Sequence, residues 1–291
     1  MNSFETANTA SPSPFSPHYI KLEQGTIHYI DEGTGEVLLF VHGTPTWSYL
    51  YRNLITHFKN HYRCIATDNL GFGLSTSSPG FPGTPEAHSE VLSNFIQTLD
   101  LNHITLIVHD FGGPIGLAAG IENNPRIKRV VAFNTWLWET KTNPEAQKAN
   151  KILQTWIGKF LYINMNFSVN VLLKKAFYNK KKLTASLFKA YKFPFLTRKS
   201  RHSALQLGKS LMGSSDWYDE QYQQIGKLKH LPWLFIWGEK DPYLGNRELI
   251  KWKEVLPEAT YKLVDAGHFV QEEQPEKAIQ HLETFLNETS M

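Results

Sequence analysis

Short apolar runs of about five residues recur along the chain, and between them lie stretches in which apolar residues return every three or four positions. The first two runs, His18-Tyr-Ile-Lys-Leu and Thr26-Ile-His-Tyr-Ile, alternate about a turn at Gly25 and predict an antiparallel hairpin. Val37-Leu-Leu-Phe-Val is instead continuously apolar between Gly35 and Gly43, the pattern of a strand covered on both faces. Similar runs recur at Arg63 to Thr67, Ile104 to Val108, Arg129 to Phe133, Trp233 to Trp237 and Tyr261 to Val264. Helical spacing predicts helices over Trp47 to Phe58, Pro85 to Leu99, Pro114 to Glu122, Arg247 to Val255 and Pro275 to Leu286. Strands alternating with helices predict an α/β chain with a mostly parallel, doubly wound sheet.

The alternation breaks after Phe133, and about 95 residues pass before the next buried strand. Ile152, Leu153, Trp156, Ile157, Phe160 and Leu161 keep helical spacing with lysines between them, and Val171, Leu172 and Phe177 suggest another helix. This predicts a helical cap, residues 139–212, inserted into a core formed by residues 18–138 and 213–291. The Ser-, Pro-, Thr- and Asn-rich residues 1–17 read as a flexible tail with no secretory leader.

Charge sharpens that division. The net charge is +3, but residues 139–212 carry 15 Lys and Arg against two acids, Glu139 and Glu145, about +13. The remainder, with 15 bases and 25 acids, is about −10. The basic cap reads as a solvated lysine-rich surface whose apolar face rests on the core, with attraction of an anionic ligand or a peripheral membrane contact as the sharper alternative. No nucleic-acid motif accompanies the charge. The single cysteine, Cys64, offers no internal disulfide and no Cys-x-x-Cys pair, which points to a reducing, cytoplasmic setting without structural metal. No stretch approaches the length of a membrane-spanning helix. No dinucleotide fingerprint or phosphate loop is present, and no cofactor is expected; Gly71 and Gly73 form a lone G-x-G, which is weak grounds for a nucleotide.

Open parallel sheets bind ligands beyond the carboxyl ends of their strands. Four segments stand there: His42-Gly-Thr-Pro-Thr-Trp-Ser, His109-Asp-Phe-Gly-Gly, Trp237-Gly-Glu-Lys-Asp-Pro and Asp265-Ala-Gly-His. Taken in order, they resemble the α/β-hydrolase layout over about residues 18 to 288, in which a nucleophile on a tight strand-to-helix turn is followed by an acid and a histidine. The resemblance puts Asp110 where most members carry serine. A carboxylate there attacks an sp³ carbon and leaves an alkyl ester on the enzyme. Outside this pattern, Asp110 would be an ordinary cap of the helix that follows.

By the same resemblance His268 is the base that activates water, and Asp241 is the acid that orients it, with Glu139 as the backup. Asp241 would otherwise be a turn residue. Thr44 and Phe111 are expected to donate backbone N–H groups to an oxyanion hole, and His42 to be structural. An aspartate nucleophile with His-Gly-x-Pro and a helical cap is most similar to the haloalkane dehalogenases, with epoxide hydrolases as near relatives. A small molecule and water are the expected partners, and haloalkane hydrolysis the expected reaction.

Two positions depart from that pattern. Phe111 stands where an indole usually follows the nucleophile, and Thr44 where many relatives have asparagine. A phenyl edge is a weak donor to a halide. The candidate indoles are therefore Trp47, Trp138 and Trp156. An epoxide hydrolase would need tyrosine hydroxyls from the cap, for which Tyr162, Tyr178 and Tyr191 are available. A β-lactone hydrolase could use the same triad, and a non-catalytic binder on a hydrolase scaffold is the alternative outside enzymology.

Overall fold

A computed structural model of the protein describes residues 11–289. Its centre is a nine-stranded sheet. Strands β1 (His18–Leu22), β2 (Gly25–Glu32), β3 (Val37–Val41), β4 (Arg63–Thr67), β6 (Ile104–His109), β7 (Ile127–Phe133), β8 (Trp233–Gly238) and β9 (Thr260–Val264) run in the order 1-2-4-3-6-7-8-9, and the two-residue β5 (Thr76–Ser77) pairs with β2. β1 and β2 form the expected hairpin, β2 lies antiparallel to β4, and every pair from β4 to β9 is parallel. The continuous apolar runs are the reason: β3, β6 and β8 are buried along their whole lengths. Helices cover both faces, each with its own hydrophobic cluster. The predicted fold class is thus observed.

Helix starts follow local chemistry. Thr84 caps Pro85–Thr98, with proline at the first turn, and Asn143 and Thr155 cap Pro144–Leu153 and Trp156–Met165 with their side-chain oxygens. The helix Gly112–Glu122 differs. It is almost wholly buried, and a Cβ on Gly112 would lie 2.2 Å from the Val41 carbonyl oxygen, so glycine is what lets it pack flush against β3.

Between β7 and β8 the chain is helical: Pro144–Leu153, Trp156–Met165, a π-helical stretch Ser168–Leu173, Ala185–Lys192, Arg201–Gly213 and Ser215–Gln223. The expectation that the apolar positions of the first two helices rest on the core is overturned in part. Ile152, Trp156, Ile157 and Phe160 are exposed, because Leu153, Gly158, Tyr162 and Ile163 form the inward face instead. Of the expected tail, residues 1–10 lie outside the described residues. Residues 11–17 rest against the molecule: Phe15 packs beside the cluster of Phe58 and Leu286, with the Lys59 ammonium 5.5 Å from its ring centre.

One polar anchor crosses the sheet. Arg129 in β7 is fully buried and donates to the Glu36 carboxylate at 2.8 Å, to the Thr289 hydroxyl at 2.7 Å and to the Thr289 carbonyl at 2.8 Å. Cys64 is buried and unbridged, and burial raises its thiol to about 12. Among the described residues no helix is long and apolar enough to cross a membrane.

Candidate active site

Asp110 directly follows β6, at the turn into Gly112–Glu122, with φ of +54°. That left-handed conformation is uncommon for a residue with a side chain, and it turns the carboxylate away from the helix it precedes. The helix is capped at Phe111 with no side-chain hydrogen bond, so Asp110 does not serve as its cap. The backbone is held instead by Asp110 N–H donating to the Asn134 carbonyl at 3.1 Å and by the Thr135 hydroxyl donating to the Asp110 carbonyl at 2.7 Å.

The carboxylate has two different oxygens. Oδ1 accepts from the Thr44 N–H at 2.8 Å, and Oδ2 lies 3.5 Å from Nε2 of His268. Phe111 N–H also donates to the carboxylate. The loop after β3 approaches closely because of Gly43: a Cβ there would stand 2.2 Å from Oδ1. Burial alone would raise the Asp110 carboxyl, but the hydrogen bond and charge of His268 outweigh it and hold the group below the usual carboxylate range.

His268 lies in the loop after β9, with its N–H on the Ala176 carbonyl at 3.0 Å and its carbonyl accepting from His109 Nε2 at 2.9 Å. Its Nδ1 meets Asp241 Oδ2 at 2.7 Å. Asp241, in the turn after β8, is fixed by Asn134 Nδ2 on Oδ2 at 2.8 Å and by the Tyr243 N–H on Oδ1 at 2.8 Å. Burial would lower the imidazole, but Asp241 first and then Asp110 raise it to about 10. A carboxylate–imidazole–carboxylate row therefore lies across the ends of β6, β8 and β9. His42 is fully buried, with Nδ1 on the Gly43 carbonyl and Nε2 accepting from the Asn69 N–H, and burial lowers its basicity. Its hydrogen bonds shape the loop that carries Thr44.

Asp110 and His268 open on a cavity of about 250 Å³ between the strand ends and the helical segment. Its walls are mostly apolar, with Leu153, Leu172 and Leu211 among them. The candidate indoles divide. Trp138 lines the cavity, its ring edge-on to Trp252 at 5.1 Å. Trp47 is fully buried and stacked on Tyr49, away from the lining, and Trp156 is 77% exposed on the outer surface. Neither of those two lines the cavity, because packing, which spacing does not report, sets where each ring points; the Trp47 Nε1 is nonetheless buried without a hydrogen-bond partner. Glu139 also lines the cavity, but its oxygens take the Thr142 N–H and hydroxyl rather than His268. Of the three tyrosines, Tyr162 lines the cavity, Tyr191 is hydrogen-bonded to Glu272, and Tyr178 is exposed.

Sequence reasoning missed Trp136. Its Nε1 is buried without a hydrogen-bond partner, it lines the cavity, and its ring meets Phe111 edge-on at 4.9 Å. Thr44 Oγ1 and Ser168 Oγ are likewise buried and unpartnered at the cavity wall. Unsatisfied donors gathered at one cavity wall beside a nucleophile are the usual mark of a site awaiting an acceptor. The available signal was position: Trp136 stands three residues beyond β7, in the same row of strand ends as Asp110.

Comparison with known proteins agrees with this fold. The alpha/beta hydrolase fold family matches residues 36–275. Haloalkane dehalogenase 2 of Mycobacterium tuberculosis is 30% identical over 268 residues, 91% of this chain and 92% of that protein. Cis-3-alkyl-4-alkyloxetan-2-one decarboxylase of Shewanella oneidensis is 30% identical over 290 residues, 95% of this chain and 90% of that protein. Among solved structures, haloalkane dehalogenase DatA from Agrobacterium tumefaciens superposes with a TM-score of 0.84 at 28% identity, covering 94% of this chain and 97% of that one.

Proposed function

Because the chain belongs to the α/β-hydrolase fold family, as an enzyme akin to the haloalkane dehalogenases, we propose that it cleaves carbon–halogen bonds of small apolar molecules, with Asp110 as nucleophile. The observation that carries this reading is the shared cavity: a carboxylate paired with an imidazole at 3.5 Å, beside an indole N–H that has no partner in the protein.

Asp110 Oδ2 attacks the sp³ carbon, the carbon–halogen electron pair leaves with the halide, and an alkyl ester forms on Asp110. Oδ1 remains as the ester carbonyl, already at the Thr44 N–H, with the Phe111 N–H beside the same carboxylate. Trp136 Nε1 donates to the departing halide in place of the indole that Phe111 lacks, and the Thr44 hydroxyl is the second donor. Alkylation removes the negative charge that Asp110 had supplied to His268, so the imidazole sheds its proton to solvent, where it balances the released halide, and becomes available as a base. It takes a proton from water, the hydroxide adds to the ester carbon, and negative charge on Oδ1 rests in the oxyanion hole. Collapse expels the alkoxide, which takes the proton from His268 and leaves as the alcohol, and the Asp110 carboxyl so formed passes its own proton to the imidazole, which restores the starting pair. Asp241 holds the imidazole tautomer throughout.

A second reading has support from the hydroxyl donors Thr44 Oγ1 and Ser168 Oγ in the cavity wall. In a four-membered lactone, attack of Asp110 on the sp³ carbon bearing the ring oxygen releases a carboxylate, which hydroxyl donors receive as well as an indole does. The oxetanone relatives are named for this ring, although as decarboxylases rather than hydrolases. The epoxide reading is weaker, since only Tyr162 of the three cap tyrosines reaches the cavity. The experiment is to incubate His268→Ala protein with 1-bromobutane, a 3,4-dialkyloxetan-2-one and styrene oxide, and to weigh it and map the labelled peptide. A butyl ester on Asp110 is the expected outcome, and a lactone-derived ester alone would transfer the assignment to the second reading. If none of the three labels Asp110, both readings fail.

A further inference from the structure

Helices Pro144–Leu153 and Trp156–Met165 turn one face inward and leave the other bare. Ala146, Ala149, Leu153 and Tyr162 line the cavity. On the outer side Ile152 is 55% exposed, Trp156 77%, Ile157 48%, Phe160 48% and Met165 55%. Ile152 and the exposed side chains at the start of the second helix belong to one surface. The Ile152 carbonyl accepts from the Thr155 N–H at 3.0 Å, and a Cβ on Gly158 would lie 2.2 Å from that same oxygen, so the end of the first helix and the first turn of the second are in direct contact. Exposed Leu196 stands near the end of the second helix, where Arg201 donates to the Ile163, Phe195 and Leu196 carbonyls.

The charge around this surface has one sign. Residues 146–212 contain 14 Lys and Arg and not one Asp or Glu. Lys148, Lys151 and Lys159 are exposed on the same two helices, and among the described residues none has an ion-pair partner. Of the two acids just before this stretch, Glu139 is half-buried and Glu145 is exposed at the first turn of Pro144–Leu153, and both also reach the cavity wall.

We propose that this face docks on an anionic lipid bilayer. Bulky apolar side chains with a tryptophan at the tip enter the boundary between headgroups and acyl chains, and the surrounding lysines meet the negative leaflet. Charge decides against a second copy of the chain as the occupant, since self-association would press two lysine-rich surfaces together. The proposal stands independently of the reaction assigned to Asp110. It deepens that reading in one respect: the two helices that would touch the bilayer also form the cavity wall, so an apolar substrate dissolved in lipid is presented to the segment that encloses the site.

The test uses the full chain with vesicles of phosphatidylcholine alone and of phosphatidylcholine mixed with phosphatidylglycerol, read by co-sedimentation and by quenching of tryptophan emission with brominated lipid. Binding to the mixed vesicles is expected to be at least about tenfold tighter than to the neutral ones and to weaken in high salt. A Trp156→Ser/Phe160→Ser variant, altered only at exposed positions, should keep its fold and lose about tenfold in binding. No sedimentation with mixed vesicles overturns the proposal, as does undiminished binding by the variant. Concentration-dependent dimerisation without lipid that the same variant abolishes would assign the patch to a second copy and overturn it equally.

Discussion

At Asp110 one residue combines three demands: a left-handed backbone, a half-buried charge and two differently engaged oxygens. Each is met from a different strand end, which is why the carboxylate, His268 and Asp241 could be read from the sequence. Residues that immediately follow buried strands have little freedom in where they stand. Trp136 was not legible in that way. Its place beyond β7 is fixed by order, but the direction of its ring depends on the edge-on contact with Phe111, which no spacing encodes. If Trp136 Nε1 receives the leaving group, Trp136→Phe removes one hydrogen bond to an anion, about 1.5–3 kcal/mol. Steady-state kinetics should then show kcat/KM falling roughly tenfold to a hundredfold for a chloroalkane and much less for the matching iodoalkane. Equal losses across the halides would instead mean that the ring only shapes the cavity.

Among the elements, the segment Val270–Glu273 has a role its four residues do not suggest. Glu272 receives both Arg52 guanidinium nitrogens, at 2.5 and 2.8 Å, together with the Tyr191 hydroxyl. Glu273 accepts from Gly267 N–H at 2.9 Å, from Tyr178 N–H at 3.0 Å and from Asn179 N–H at 2.6 Å. One carboxylate thus joins the loop carrying His268 to the helical segment above it. Glu273→Ala leaves three N–H groups without acceptors, and urea unfolding should register a loss of about 2–4 kcal/mol. Turnover should decline through kcat more than KM, because the group that drifts is the His268 loop. A change confined to stability would show that the loop holds its own geometry. Element types were readable here because period and length agreed. What covers an element was not, as Ile152, Trp156 and Phe160 make plain: apolar periodicity reports that a helix has an apolar face, not which neighbour takes it.

Across the whole molecule, buried imidazoles set opposing pH dependences. His88 is enclosed with neither ring nitrogen hydrogen-bonded, and burial lowers it to about 3; His109 is likewise lowered to about 3. Below an unfolded value near 6.5 the unfolded chain takes protons that these two refuse when folded, so stability falls from about pH 6.5 toward pH 3. His268, raised to about 10, acts the other way: its contribution is fully present below about 6.5 and is lost as pH rises toward 10. His88→Phe removes one of the acid-side penalties without touching the site. Relative to the parent, it should gain about 2 kcal/mol more at pH 5 than at pH 8 in chemical unfolding. An equal gain at both values would place the effect in packing against Phe72 and Phe81. The sheet order itself was legible only as mostly parallel, since the sequence of apolar runs does not say that β4 lies between β2 and β3.

The anchor at Arg129 has a consequence for the order in which the chain can fold. β7 lies in the middle of the sheet and carries at its far end the Asn134 that holds Asp241. Yet two of the nitrogens of its buried guanidinium, Nε and Nη2, meet their acceptors on Thr289. During synthesis the strands from β1 to β7 emerge with Glu36 already available and Thr289 still unmade. The buried guanidinium in this strand therefore has its full set of acceptors only once residue 289 has been made, later in synthesis than any member of the row Asp110, Asp241 and His268.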